Sequence, residues 1–147
     1  MNKAQPDKWI RKAIYDAIDD IAVDGILIPC YDTVVTNDSN RDTPKNYVVM
    51  STQTADVDKA TKCEWLWRST ILLDIVTRFP RPGNSGSRLL ADNILEAVKD
   101  ATNDLVLDPS SGLEAIRQDI SFPGDQYASS GDENIFRKFL RIELRIK

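Results

Sequence analysis

The sequence predicts an α+β fold: a mostly antiparallel sheet with two amphipathic helices packed on one face, a long β-hairpin and extended loops. Three observations carry this. Residues 6–22 and 87–101 place apolar side chains at helical spacing on one stripe. Residues 62–79 alternate at period two over an unusual length, and the chain closes in a second alternating segment, 135–147. One-sided helices need a flat apolar surface to cover, and a two-faced sheet provides it. The 147 residues suffice for one domain with its own core, so 1–147 is read as a single domain.

The first helix is expected over Pro6–Ala22. Pro6 suits a first turn, where its missing N–H costs nothing, and Asp7 complements the helix dipole. Ile10, Ile14, Ala17, Ile18 and Ile21 form the buried stripe, and Gly25 is the stop signal. Ile26–Tyr31 reads as a short strand in which Pro29 imposes an edge position or a bend. Thr36–Asn46 is polar and turn-rich and reads as an exposed loop. Tyr47–Thr54 is a strand by composition, and Ala55–Thr61 is a polar connection.

The alternating run Lys62–Phe79 presents Cys63, Trp65, Trp67, Ile71, Leu73 and Ile75 on one face. Its even face mixes Arg68, Leu72, Asp74 and Val76. A strand that long would overshoot a small domain, which leaves room for a break or bulge near Arg68–Ser69. Pro80–Gly86 ends it, and Ser87 is placed to cap the second helix, Ser87–Ala101. Leu113–Phe122 reads as a strand weakened by Glu114, Arg117 and Asp119. Pro123–Asn134 reads as a mobile hairpin tip. In the last strand, Ile135–Lys147, Phe136, Leu140, Ile142, Leu144 and Ile146 share one face; Arg137, Arg141, Glu143 and Arg145 share the other.

Composition removes several chemistries. The chain has no histidine, which excludes His-based acid–base catalysis, Ser-His-Asp and Cys-His pairs and most zinc enzymes. A net charge of -4 is a poor basis for general nucleic-acid binding. Cys30 and Cys63 form no CxxC motif and read as small buried hydrophobes in reduced form. No apolar run approaches the roughly 18 to 20 residues of a membrane span. The N-terminus lacks the apolar stretch of a signal peptide, so synthesis in a cytoplasm is expected. Pro82–Ser87 precedes a helix but lacks the lysine and glycine spacing of a phosphate loop. Asp19 and Asp20 are adjacent and point apart, so they read as a solvated face.

Two groups of side chains remain as candidates. Trp65 and Trp67 share a strand face; they read first as core or a subunit contact, and second as a stacking platform. Arg137, Arg141 and Arg145 recur every fourth residue, so they share the opposite face of the last strand. They read as a solvated face, or as a partner surface that meets acidic residues of a neighbour.

The order of these elements resembles the tail-completion or tail-terminator proteins of tailed bacteriophages, with the minor tail and head–tail joining proteins that share their fold. The resemblance covers nearly the whole chain. It lies in the amphipathic helix, the long alternating strand, the following helix with Ala91-Asp92-Asn93-Ile94-Leu95-Glu96-Ala97-Val98, and the charged terminal strand. It implies a non-enzymatic virion protein, made in the bacterial host cytoplasm, with no cofactor, no metal and no membrane contact. Such proteins form homo-oligomeric rings, commonly hexamers, or dodecamers where the ring belongs to a neck or short tail. They join tail to capsid, contact other neck and tail proteins and let DNA pass without reading its sequence. On this reading Trp65, Trp67, Arg68, Arg137, Arg141 and Arg145 are candidate interface residues. Asp38, Asp42, Asp56 and Asp58 are candidate acidic residues of channel-facing loops. The long Thr36–Asn46 loop departs from common members, so terminator, neck ring and short-tail ring stay open. The alternative is a small non-catalytic ligand-binding or adaptor domain of a bacterial cytoplasm.

Overall fold

A computed structural model gives the fold and describes residues 5–33, 45–58, 66–80, 86–129 and 132–147. Helix α1 spans Asp7–Ile18 and buries Ile10, Ile14 and Ile18. It is shorter than the expected Pro6–Ala22. Asp19 is extended (φ -64°, ψ 130°) and Asp20 is left-handed (φ 55°), so the chain leaves the helix before Ile21. The residues beyond form an unexpected hairpin, β1 (Ile21–Val23) with β2 (Ile26–Ile28). Its turn is Asp24-Gly25, both at positive φ (51° and 79°). Asp-Gly is favoured where a two-residue hairpin turn needs two left-handed residues in succession.

Pro29 interrupts the expected strand as its missing N–H and fixed φ require. It separates β2 from β3 (Cys30–Asp32), which lies on the edge of the main sheet. The other strands of that sheet are β4 (Asn46–Asp58), β5 (Leu66–Pro80), β6 (Ala115–Ser129) and β7 (Glu133–Ile146). The order is β3-β4-β5-β7-β6. All neighbours are antiparallel except β3 and β4, so the α+β, mostly antiparallel expectation holds.

Helix α2 (Leu89–Ala101) follows β5 and buries Ala91, Ile94 and Val98. The N-cap position falls on Arg88, which makes no side-chain cap hydrogen bond, and not on Ser87 as expected; Ser87, one residue earlier, accepts from the Leu89 N–H through its Oγ at 3.3 Å. Gly86, just before, is left-handed (φ 68°) and lies under the Phe79 ring, where any Cβ would collide with the ring. Both helices lie on the same side of the sheet. One core joins Ile10, Ile14 and Ile18 of α1 and Ile94 and Val98 of α2 to Val48 and Met50, Ile71, Leu73 and Ile75, and Leu140, Ile142 and Leu144. In β5 the odd residues and in β7 the even residues face the helices, in register as Ile71 with Ile142 and Leu73 with Leu140.

Three expectations about the strands are corrected. The bulge lies in β4, at Ser51–Thr52, and β5 runs unbroken against β7 past Arg68–Ser69. The bulge exchanges the faces of β4: Val48 and Met50 face the helices before it, Gln53 and Ala55 after it. Gln53 then reaches α1, accepting from Arg11 Nη1 at 2.7 Å and donating to the Asp7 carbonyl at 3.1 Å. Second, Ala55–Asp58 continues β4 instead of forming a polar connection. Third, β6 runs through Pro123–Ser129, so the segment expected to be a hairpin tip is mostly strand. Cross-strand pairing with β7 offsets the poor strand propensity of Pro123 and Gly124, which sit at a second irregularity, between Ser121 and Gly124. A further bulge between Ala115 and Arg117 puts out Ile116.

Cys30 is buried, as expected of a reduced thiol. Burial, then the nearby Asp19 and Asp32 carboxylates, push its thiol up to about 12. In a Cys63→Ser variant we expect no native-state alkylation of Cys30 at pH 8 and full alkylation in denaturant. The folded state keeps a proton that the unfolded chain releases, so stability falls as pH rises between roughly 9 and 12. Relative to Cys30→Ala, the expected slope is about 1.4 kcal/mol per pH unit. Equal slopes would show that the thiol is not protected.

Candidate functional site

The side of the sheet away from the helices carries no layer among the described residues. It presents the even residues of β5 and the odd residues of β7, which is where period two places arginines 68, 137, 141 and 145. Arg117 of β6 lies opposite Arg145, and Arg68 opposite Arg145 on the other flank. The sequence expectation that Arg137, Arg141 and Arg145 share one face therefore holds, and Arg68 joins them.

These arginines are not equivalent. Arg68 makes a two-armed contact with Glu143, Nε to Oε1 and Nη2 to Oε2, both 3.2 Å. The pair is largely exposed and is worth under about 1 kcal/mol. Arg117 pairs with Asp119 at 3.1 Å. Arg137 donates to the two carboxylate oxygens of Asp74 through Nε and Nη2 and stands over the Phe139 ring, 5.4 Å from its centre. The Asp74 side chain is only 10% exposed although it lies on the uncovered face. Phe139 and Val49 are its register neighbours. Its partnership with Arg137 supplies the charge and hydrogen bonds that a buried carboxylate needs. The aspartate holds Arg137 above the ordinary guanidinium value, chiefly through the side-chain hydrogen bond.

Arg141 differs. It is exposed and has no acidic partner among the described residues. It borders an open groove of about 450 Å³ on the uncovered face. Thr54 and Thr70 line the same groove, their hydroxyls 2.5 Å apart, and Leu72 contributes apolar wall. Tyr31 and Tyr47 meet edge to face further along, 6.0 Å between ring centres. Arginine with tyrosine and phenylalanine is the composition of contact surfaces.

Trp67 is not on this face. It lies on the helix-facing side of β5, half-buried and packed against the core. Trp65, Asp38 and Asp42 lie outside the described residues. Asp56, expected in a loop, belongs to β4, exposed and in register with Arg68. Asp58 ends the same strand. Sequence reading placed Glu143 among the arginines but missed its pairing with Arg68, and it missed Asp74 as the partner of Arg137. Their even and odd positions in paired strands were visible, but the register that brings them together was not. Among the described residues, no three cysteines, aspartates or glutamates come together to hold a metal ion.

No protein-family model matches the chain, and no curated protein matches it. Solved structures do. A chain of the virion of native gene transfer agent (GTA) particle has the same fold. The two are 17% identical, superpose with a TM-score of 0.59, and correspond over 95% of this chain and 96% of that one. At that identity the likeness is one of fold, and it extends from end to end of both chains.

Proposed function

We propose that this protein is a structural component of a phage-like virion, a non-catalytic subunit of a ring at the head–tail junction or tail end. The end-to-end likeness to a chain of a gene transfer agent virion is the observation that carries the reading. The resemblance of element order to tail-completion and tail-terminator proteins points the same way. So does the form of the uncovered sheet face, with arginines and aromatic rings beside half-buried apolar residues, which suits contact with another protein. In such a ring the partners are further copies of this chain and other neck and tail proteins. DNA passes through without sequence-specific contact, and the subunit needs no cofactor.

Light scattering over a range of concentrations, with negative-stain imaging, tests this. We expect a rise in mass to a fixed multiple of the subunit and closed annuli in the images. A chain that stays monomeric at every concentration, or that turns over a small molecule, would sink the proposal.

A further inference from the structure

We infer that Arg141 and its threonine-lined groove dock against the acidic end of α2, around Asp100 and Asp104, on a second copy of this chain. The inference rests on the ring reading and names the contact that such a ring would use.

On the uncovered face, Arg68, Arg117 and Arg137 are each held by a carboxylate of the same subunit. Arg141 is not, and it lines the groove together with Thr54, Thr70 and the Arg68–Glu143 pair, whose carboxylate is already engaged by Arg68. A guanidinium that shares a groove with hydroxyl groups is chemically suited to a carboxylate.

On the other side of the molecule, α2 buries Ala91, Ile94 and Val98 and exposes Asp92, Glu96 and Asp100, one residue in four. Asp92 is paired with Lys138 and Glu96 with Lys99. Asp100 and the following Asp104 are exposed and have no ion pair among the described residues. Asp100 also lies in the last turn, where the negative end of the helix dipole disfavours a carboxylate. A cation brought there from outside would relieve that cost.

The sheet lies between the two patches, so Arg141 cannot reach Asp100 of its own subunit. Pairing them joins unlike surfaces of successive copies, which is the heterologous contact that closes into a ring. Copies with a net charge of -4 repel at long range, so association requires a local match of this kind.

The test uses the full chain with Arg141→Glu, with Asp100→Arg, and with both together. Both sites are exposed, and unchanged thermal melting confirms that each variant folds. Each single change is expected to raise the concentration for half-assembly by about tenfold or more. The double variant, and an equimolar mixture of the two single variants, should return close to wild type. If the wild-type chain never assembles, the ring reading fails and takes this contact with it. If wild type assembles and Arg141→Glu assembles equally well, or Asp100→Arg fails to restore it, only this contact is overturned. It is overturned too if Arg141→Glu spares assembly but abolishes binding of a short DNA duplex.

Discussion

Replacing Leu140 with alanine is expected to remove about 2–5 kcal/mol of stability, lowering the melting temperature by roughly 5–15 °C. Leu140 is fully buried and lies in register with Leu73 at the centre of the sheet. It belongs to the core shared with both helices. Backbone hydrogen bonds hold β7 between β5 and β6, so the strand cannot collapse into the space left behind. The cost is then lost burial plus an unfilled cavity. Denaturant unfolding with an unchanged slope would measure it. A loss below about 1 kcal/mol would mean that the helices close onto the sheet and that the core is less rigid than its packing indicates.

Arg137→Ala is expected to cost about 1–3 kcal/mol, and Arg137→Ala with Asp74→Ala less than Arg137→Ala alone. The asymmetry follows from burial. Arg137 is 40% exposed, whereas Asp74 is 10% exposed. Removing the arginine strands a carboxylate that water barely reaches, while removing both leaves only a small gap. The exposure of Arg137 keeps the figure below that of a fully buried pair. A double-mutant cycle from urea unfolding separates the coupling from the single losses. A coupling near zero would show that water already satisfies Asp74 in the folded protein.

Much of the fold could be read before any coordinates. The two helices, the long fifth strand and the two-faced final strand follow from periodicity, because burial on one side forces it. Reading failed where local propensity met tertiary pairing. Asp24-Gly25 between Val23 and Ile26 is a hairpin signal, but helical spacing through Ile21 and Ala22 concealed it. Ala55–Asp58 and Pro123–Ser129 look like connections in composition, yet neighbouring strands hold them extended. The β4 bulge had no signature, since it takes its meaning from the register against β5. The arginine face was legible because alternation fixes which side each residue takes. That Arg141 alone among the arginines of the final strand and its flanks lacks a described carboxylate partner or other interaction was not, because pairing depends on register across three strands.

The outermost strand, β6, has a long lateral border open to solvent, and a border of that kind can template fibril growth. Here Ile116 kinks one end, and Phe122-Pro123 kinks the middle where an amide hydrogen is also missing. The uninterrupted stretch between them is short, Arg117 to Ser121, and carries Arg117 and Asp119. The stretch beyond, Gly124 to Ser129, is also short and carries Asp125, so this border is a poor template for edge-to-edge pairing.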